Sequence, residues 1–350
     1  MASATSQVEQ NTSPASYVRE IYPAIAQPSP GIFVVVSVFL ICFIVGVCGT
    51  SSTITSIYGC GKPAFKRLNL CKKGSNTKLF VSALCLIDTI MLLSLPSSIA
   101  DSLIGFWIFG STACKVHQLF GSIGRMSSSI MIAAMTIDWY FVIAYPDRSR
   151  VTSKRTTMLI IGSLFLTSVF VLMPIMIYAE AQEMPIFESN RTDGSVLKVR
   201  IYKCVDVMPT DLLFWFTGVT FVIGYFIPLL AVAILSASFS QLHRHGELVV
   251  NDLNQRTRRV TGYVITIATC YFLCWTPYWL SVIYVSYVDL VESRTIQALK
   301  ESTETTMLLL YGAHLLPYLN ASINWIFYGR LVNALRQRQS DEKIDILCIQ

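Results

Sequence analysis

Charge is what this sequence has least of. Only 14% of its 350 residues are Asp, Glu, Lys or Arg, against 53% hydrophobic, where soluble domains carry about a quarter charged residues. With a mean hydropathy of +0.55, the bilayer becomes the default solvent. Histidine is scarce too, at four residues. Two of these, His243 and His245, stand i to i+2 on different helix faces without further ligands, so no metal site is expected. The ten cysteines include no C-x-x-C pair, which removes zinc-ribbon and thioredoxin-like readings. No G-x-S-x-G, P-loop or H-E-x-x-H signature occurs, and enzyme chemistry has no support. Segment 1–30 lacks a basic n-region followed by an apolar h-region and a cleavage site; the first span is expected to insert as its own signal anchor.

What is present is a series of apolar runs of the length a bilayer needs, roughly 20 residues per helix. Spans are expected at Ile32 to Tyr58, Leu79 to Ala100, Thr112 to Tyr145, Met158 to Ala179, Leu212 to Phe239, Val260 to Tyr287 and Met307 to Tyr328. The six Trp, sixteen Tyr and nineteen Phe suit an interfacial aromatic belt. Lys and Arg mark cytoplasmic loops. Lys62, Lys66, Arg67, Lys72, Lys73 and Lys78 fill the first connection; Arg148, Arg150, Lys154 and Arg155 the third; Arg244, Arg256, Arg258 and Arg259 the fifth; Arg330, Arg336 and Arg338 the tail. The opposite side is acidic, with Glu180, Glu183, Glu188, Asp193, Asp206 and Asp211 between spans four and five. The N-terminus is therefore expected outside and the C-terminus inside. Sequons at Asn11 and Asn190 fall on the outer face, where glycosylation is open to them. The net charge of +6 reads as inner-leaflet anchoring, and no nucleic-acid partner is expected.

Several residues stand out against this apolar background. Cys114, at the outer end of span three, and Cys204, in the long outer loop, both face the oxidising side, where disulfides persist. A bridge between them would pin the loop over the bundle. Asp88 is a charge in mid-span, a costly placement that calls for partners inside the bundle. Ser128, Asn320 and Asn324 lie at comparable depth and could share a hydrated cation such as sodium with it; a purely structural hydrogen-bond node is the alternative. Pro277 sits inside span six, where it removes a backbone hydrogen bond and kinks the helix. Trp275 would form the floor of any outer cavity.

In order and spacing, these residues resemble the rhodopsin-like, or class A, G protein-coupled receptors over about residues 32 to 338. The landmarks are Asp88, Trp107 with Cys114, "IDWYFVIAYP", Pro174, Cys204, Pro228, the C-W-x-P run Cys274 to Pro277, and "LNASINWIFYG". Within the family the likeness is to peptide receptors of the somatostatin, opioid and allatostatin-C type, carried by Pro96 eight residues after Asp88, "CKVHQLFGSIGRMSSSIMIAAMTID" and "PYLNASINWIFYG". The departures cluster at switch positions. Trp139 stands where the family has arginine, Trp325 where it has proline, Thr50 for asparagine, Phe165 for tryptophan and Ser236 for tyrosine. Gly121 replaces the aspartate that holds a basic ligand group. An indole can stack and donate one hydrogen bond but cannot form the ion pair an arginine would. Asp138, left without that partner, is expected to meet Arg148 or solvent.

The resemblance implies a ligand site at Asp101, Gln118, Gly121, Arg125, Trp275, Tyr278, His314 and Tyr318. It implies a sodium or polar network at Asp88, Ser128, Asn320 and Asn324, and a switch at Asp138, Trp139, Tyr140, Trp275, Pro277, Asn324 and Tyr328. Arg125 is an intramembrane arginine and so a functional-site hypothesis by default. It is expected to pair with an acidic ligand group or to anchor a network toward Asp88; neutralisation by water and helix carbonyls is the bland alternative. Gly121 and Gly124 are expected to deepen the cavity beside it. Asp101 is a candidate partner for a basic residue of a peptide.

The expected fold is an all-α membrane protein, a seven-transmembrane helix bundle with a short amphipathic eighth helix. Residues 1–31 form an extracellular tail, 32–328 the receptor domain, and 329–350 the amphipathic helix and cytoplasmic tail. The eighth helix rests on apolar Leu331, Val332 and Leu335 together with Arg330, Arg336 and Arg338. Cys348 is third from the end and does not match C-a-a-X prenylation. The resemblance implies a plasma-membrane receptor, multi-pass, for a neuropeptide. Its expected partners are a peptide, a heterotrimeric G protein and membrane lipids, with arrestin as a further candidate and no cofactor beyond the sodium. A receptor with weak or absent coupling, acting as scavenger or dimer partner, is the alternative. A transporter or channel comes third, without the internal repeat such proteins show.

Overall fold

The computed structural model describes residues 18–21, 30–59, 76–145, 153–190, 196–245, 251–292 and 304–349. Among these residues, six helices are long and apolar enough to cross a membrane. They follow from composition: a backbone in hydrocarbon has no water to bond, so an unbroken apolar run must close its own hydrogen bonds as a helix. Span one is Pro30–Tyr58, span two Thr77–Ile104, span three Gly110–Ala144 and span four Lys154–Val171. Span five occupies Thr210–Gln241 and span six Thr257–Tyr287, the latter within a longer helix, Asn251–Glu292. The seventh expected span lies in a final helix, Glu304–Ile349.

Apolar side chains point both ways, as they must when lipid is as apolar as the core. Phe170 is 76% and Leu159 73% exposed on the outside of span four, whereas Trp139, Tyr328 and Leu84 are buried at the centre. Proline sets the irregularities. Span two breaks at Leu93 and Ser94, just ahead of Pro96, and span four at Leu172, ahead of Pro174. Span five answers Pro228 with a π-helical turn, Val222–Phe226. Pro228 has no N–H for the Gly224 carbonyl four residues back, and Ser129 of span three donates its hydroxyl to that carbonyl instead. Around Pro277 the residues of span six remain helical on both sides, so the expected bend leaves no gap in the helix.

The outer loop between spans four and five is a β-hairpin, an element absent from the all-helical expectation. Strand β2 (Ala179–Asn190) pairs antiparallel with β3 (Val196–Asp206), with Cys204 opposite Ala181 and a register shift between Pro185 and Phe187. A third strand, β1 (Val18–Ile21), adds to the other edge of β3 in parallel. At the inner end, helix Glu304–Ile349 continues through the segment expected to be a separate eighth helix, with no non-helical residue between the two. Its apolar positions Leu331, Val332 and Leu335 are buried, and Arg336 reaches the Ser56 carbonyl of span one.

Candidate functional site

The hairpin is fastened to the outer end of span three. Cys114 and Cys204 form a disulfide with Cα atoms 5.4 Å apart, inside the usual range for a bridge. The Trp107 amide donates to the Tyr202 carbonyl at 2.8 Å, and the Ala181 amide to Ser111 Oγ at 3.3 Å. Lys115 Nζ donates to the carbonyls of Met176 at 2.8 Å and Ile177 at 3.1 Å. Asp101 stands 3.5 Å from Lys203 of the hairpin, so the residue expected to await a basic ligand group already faces one of the chain's own.

Beneath this cover, successive turns of span three present Gln118, Gly121 and Arg125. Gln118 is half-buried. Among the described residues a Cβ at Gly121 would meet only the Tyr318 hydroxyl, at 3.7 Å, so the missing side chain leaves open space. Gly124 behaves differently: a Cβ there would lie 2.7 Å from Cβ and Cγ of Met91. The expectation that both glycines deepen the cavity therefore holds for Gly121 alone, because Met91 of span two fills the room at Gly124.

Arg125 lies at the bottom of this space. Its guanidinium donates to Ser122 Oγ and sits 5.2 Å over the centre of the Tyr278 ring, within cation–π range. Among the described residues no carboxylate stands within ion-pair distance of it; its electrostatic neighbours include His117, His314 and Asp206. The Arg125 carbonyl accepts from the Tyr271 hydroxyl of span six at 2.8 Å. Tyr271, Trp275 and Tyr278 form a chain of rings, with centroids 5.4 and 5.5 Å apart, and His314 of span seven closes on Tyr278 at 5.0 Å. Tyr318 completes the wall, its hydroxyl 3.4 Å from Ser94 Oγ. An arginine with aromatic walls and no carboxylate partner is suited to an anionic group.

One layer inward, the expected polar network assembles. Asp88 Oδ2 accepts from Asn324 Nδ2 at 3.2 Å and from the Tyr328 hydroxyl at 3.0 Å. Asn324 Nδ2 also donates to Asn320 Oδ1 at 3.1 Å. Ser128 Oγ and Asn324 Oδ1 are buried without a hydrogen-bond partner among the described residues. With the Asp88 carboxylate they supply the oxygen donors a small hard cation takes, so the residues present fit sodium. Thr50 does not reach Asp88; its hydroxyl bonds Gly46 O at 2.8 Å and lies 3.1 Å from Thr89 Oγ1.

At the inner end, Trp139 is 1% exposed, and its Nε1 donates to Thr261 Oγ1 of span six at 3.0 Å. The indole joins spans three and six where an arginine was missing. Asp138 hydrogen-bonds the Asn76 side chain; Arg148, its expected partner, lies outside the described residues. Tyr140 packs edge-on against Phe239 of span five at 5.7 Å. Trp325 fits over Gly49 of span one, where any Cβ would collide with the indole ring. Thr261, Asn76, Gly49 and Met91 were missed as partners by the sequence reading, and no local signal marks them. Asn11 lies outside the described residues, and Asn190 is placed by its backbone alone, at the end of β2.

The sequence matches the 7 transmembrane receptor (rhodopsin family) over residues 68–328. It is 30% identical to Neuropeptide receptor 18 of Caenorhabditis elegans over 308 residues, 84% of this chain and 63% of that one. It is 27% identical to a probable G-protein coupled receptor of the same organism over 300 residues, 86% of this chain and 66% of that one. Somatostatin receptor type 2 of Mus musculus is 25% identical over 299 residues, 84% of this chain and 72% of that one. The chain thus spans 63% and 66% of the length of the two Caenorhabditis elegans proteins it matches.

Proposed function

The chain belongs to the rhodopsin family of seven-transmembrane receptors, and on that premise we propose that it is a plasma-membrane receptor for a neuropeptide, signalling to a heterotrimeric G protein. The names of its relatives support a peptide ligand. The observation that carries the reading for this chain is Arg125. It sits under the open space at Gly121, against the Tyr278 ring and without a carboxylate partner among the described residues. A peptide bearing a carboxylate reaches down beneath the hairpin and ion-pairs with Arg125, an interaction strengthened by the low dielectric of the bundle. Arg125 is tied through its carbonyl to Tyr271, and through its side chain to Tyr278. Occupancy there bears directly on span six either side of Trp275 and Pro277.

A ligand moves that helix only by its differential affinity for the two arrangements. Swinging the inner end of span six breaks the Trp139–Thr261 hydrogen bond, worth about 0.5–1.5 kcal/mol. Sodium held at Asp88, Ser128, Asn320 and Asn324 supplies a counter-charge to the buried carboxylate in the resting arrangement. In this reading residues 32–328 are the receptor unit, with glycosylation at Asn11 of the outer tail and at Asn190 of the hairpin. The inner amphipathic segment rests on membrane lipid, and arrestin is a further partner.

The neutral contact at Trp139 also favours a second reading, a receptor that binds its peptide but couples weakly or not at all. A peptide library screened against the expressed receptor, read by both binding and second messenger, tests the two together. Binding with a response supports the first reading; binding without one supports the second. Agonist-driven nucleotide exchange by purified receptor and G protein would eliminate the second.

A further inference from the structure

One large cavity is remote from the ligand site. It is a groove of about 1050 Å³ between the inner halves of spans three, four and five, at the upper end of the roughly 300–1,000 Å³ of ligand pockets. Its walls are almost wholly apolar, with Ile137 and Phe141 from span three, Ile160 and Leu164 from span four and Ile227 from span five. Ile137, Phe141, Ile160 and Ile227 are among the large side chains exposed outward, so the groove opens to the acyl chains of the bilayer. One acid breaks the pattern: Asp138 is part of the wall. Its carboxylate bonds Asn76, yet Oδ2 is sealed from water and has no hydrogen-bond partner among the described residues. Leaving such an oxygen unmet costs about 1–3 kcal/mol or more.

We propose that this groove is a binding site for a membrane-dissolved long-chain amine, whose chain lies along the apolar walls and whose ammonium group pairs with Asp138. Hydrocarbon alone would fill the groove without meeting the carboxylate, and a fatty acid would set two acids against each other. A cationic head answers both the apolar volume and the unmet oxygen. The site needs Asp138 without the usual neighbouring arginine, a condition this chain meets through Trp139. It is independent of the peptide site, since it shares no residue with it.

The test uses the full-length receptor in phosphatidylcholine nanodiscs and a photoreactive C18 primary amine, competed by sphingosine, by octadecanol and by stearic acid. The expected result is crosslinking to spans three to five that sphingosine suppresses at concentrations about ten-fold below those needed for octadecanol, with stearic acid ineffective. Asp138→Asn should remove this preference for the amine. Thr167→Phe, which fills the groove from its exposed wall on span four, should lower crosslinking without touching the carboxylate. Equal competition by amine and alcohol, or an unchanged preference in Asp138→Asn, would show an ordinary lipid annulus and overturn the proposal. Should Asp138→Asn fail to fold, as judged by thermal unfolding, the alcohol-to-amine ratio on the unmodified receptor together with Thr167→Phe decides the matter.

Discussion

The outer and inner ends of span three are held in opposite ways. At the outer end a disulfide, a lysine on two carbonyls and hydrogen bonds to the hairpin fasten the helix to its surroundings. At the inner end Trp139 offers an indole N–H to a threonine hydroxyl, with a carboxylate on an asparagine beside it. The first set includes a covalent bond and charge-assisted contacts; among the described residues the second carries no ion pair between spans three and six. A ligand site must stay assembled to keep its affinity, whereas an inner contact that reports binding has to break. The contrast follows from that division.

The largest effect is expected where the holding is covalent. Cys204→Ser should cost about 2–5 kcal/mol of stability and abolish high-affinity peptide binding at the cell surface, since the hairpin loses its attachment to span three. Thermal unfolding and radioligand binding measure the two parts, and full affinity retained would break the contrast at its strong end. Arg125→Met comes next, midway along the helix. Losing a charge-assisted pair worth about 1.5–3 kcal/mol should weaken a carboxylate-bearing peptide by about ten- to 150-fold, with unaltered affinity sinking the anchor role. Thr261→Val removes the acceptor for Trp139 and should raise basal nucleotide exchange by about two- to ten-fold; no rise would mean that packing, rather than the hydrogen bond, restrains span six. The smallest effect belongs to Lys203→Gln. Its pair with Asp101 is about a third exposed on each side, and such pairs contribute about 0.2–1 kcal/mol. A less than five-fold change in peptide affinity is expected, and a larger one would move this contact into the strong set.

Much of the site was legible because the membrane restricts what polar residues can do. Asp88, Asn320, Asn324 and Tyr328 lie in apolar spans, where a charge needs internal partners, and the four do meet one another. The Cys114 and Cys204 pair was legible from its shared outer side. Other contacts left no local trace. Gly124 reads like Gly121 in the sequence, yet Met91 fills the first and, among the described residues, nothing but the Tyr318 hydroxyl approaches the second. Trp325 reads as a lost proline, and only its neighbour Gly49 reveals where the indole goes. Thr261 is one of several threonines in span six, 122 positions from the Trp139 it receives. The hairpin was hidden inside an acidic loop, although the alternation through "VRIYKCV" carries a weak strand signal.

The sequence by itself determined the run of spans and the family, since a helix in hydrocarbon closes its backbone bonds within one segment and needs no distant residue to do so. Only the tertiary structure decided which polar groups meet: Arg125 with Tyr278, Trp139 with Thr261, Asp138 with Asn76 and the groove. Those meetings depend on the depth and rotation of each helix against its neighbours. Small residues and side-chain packing from other spans set both, so no single stretch of the chain contains them.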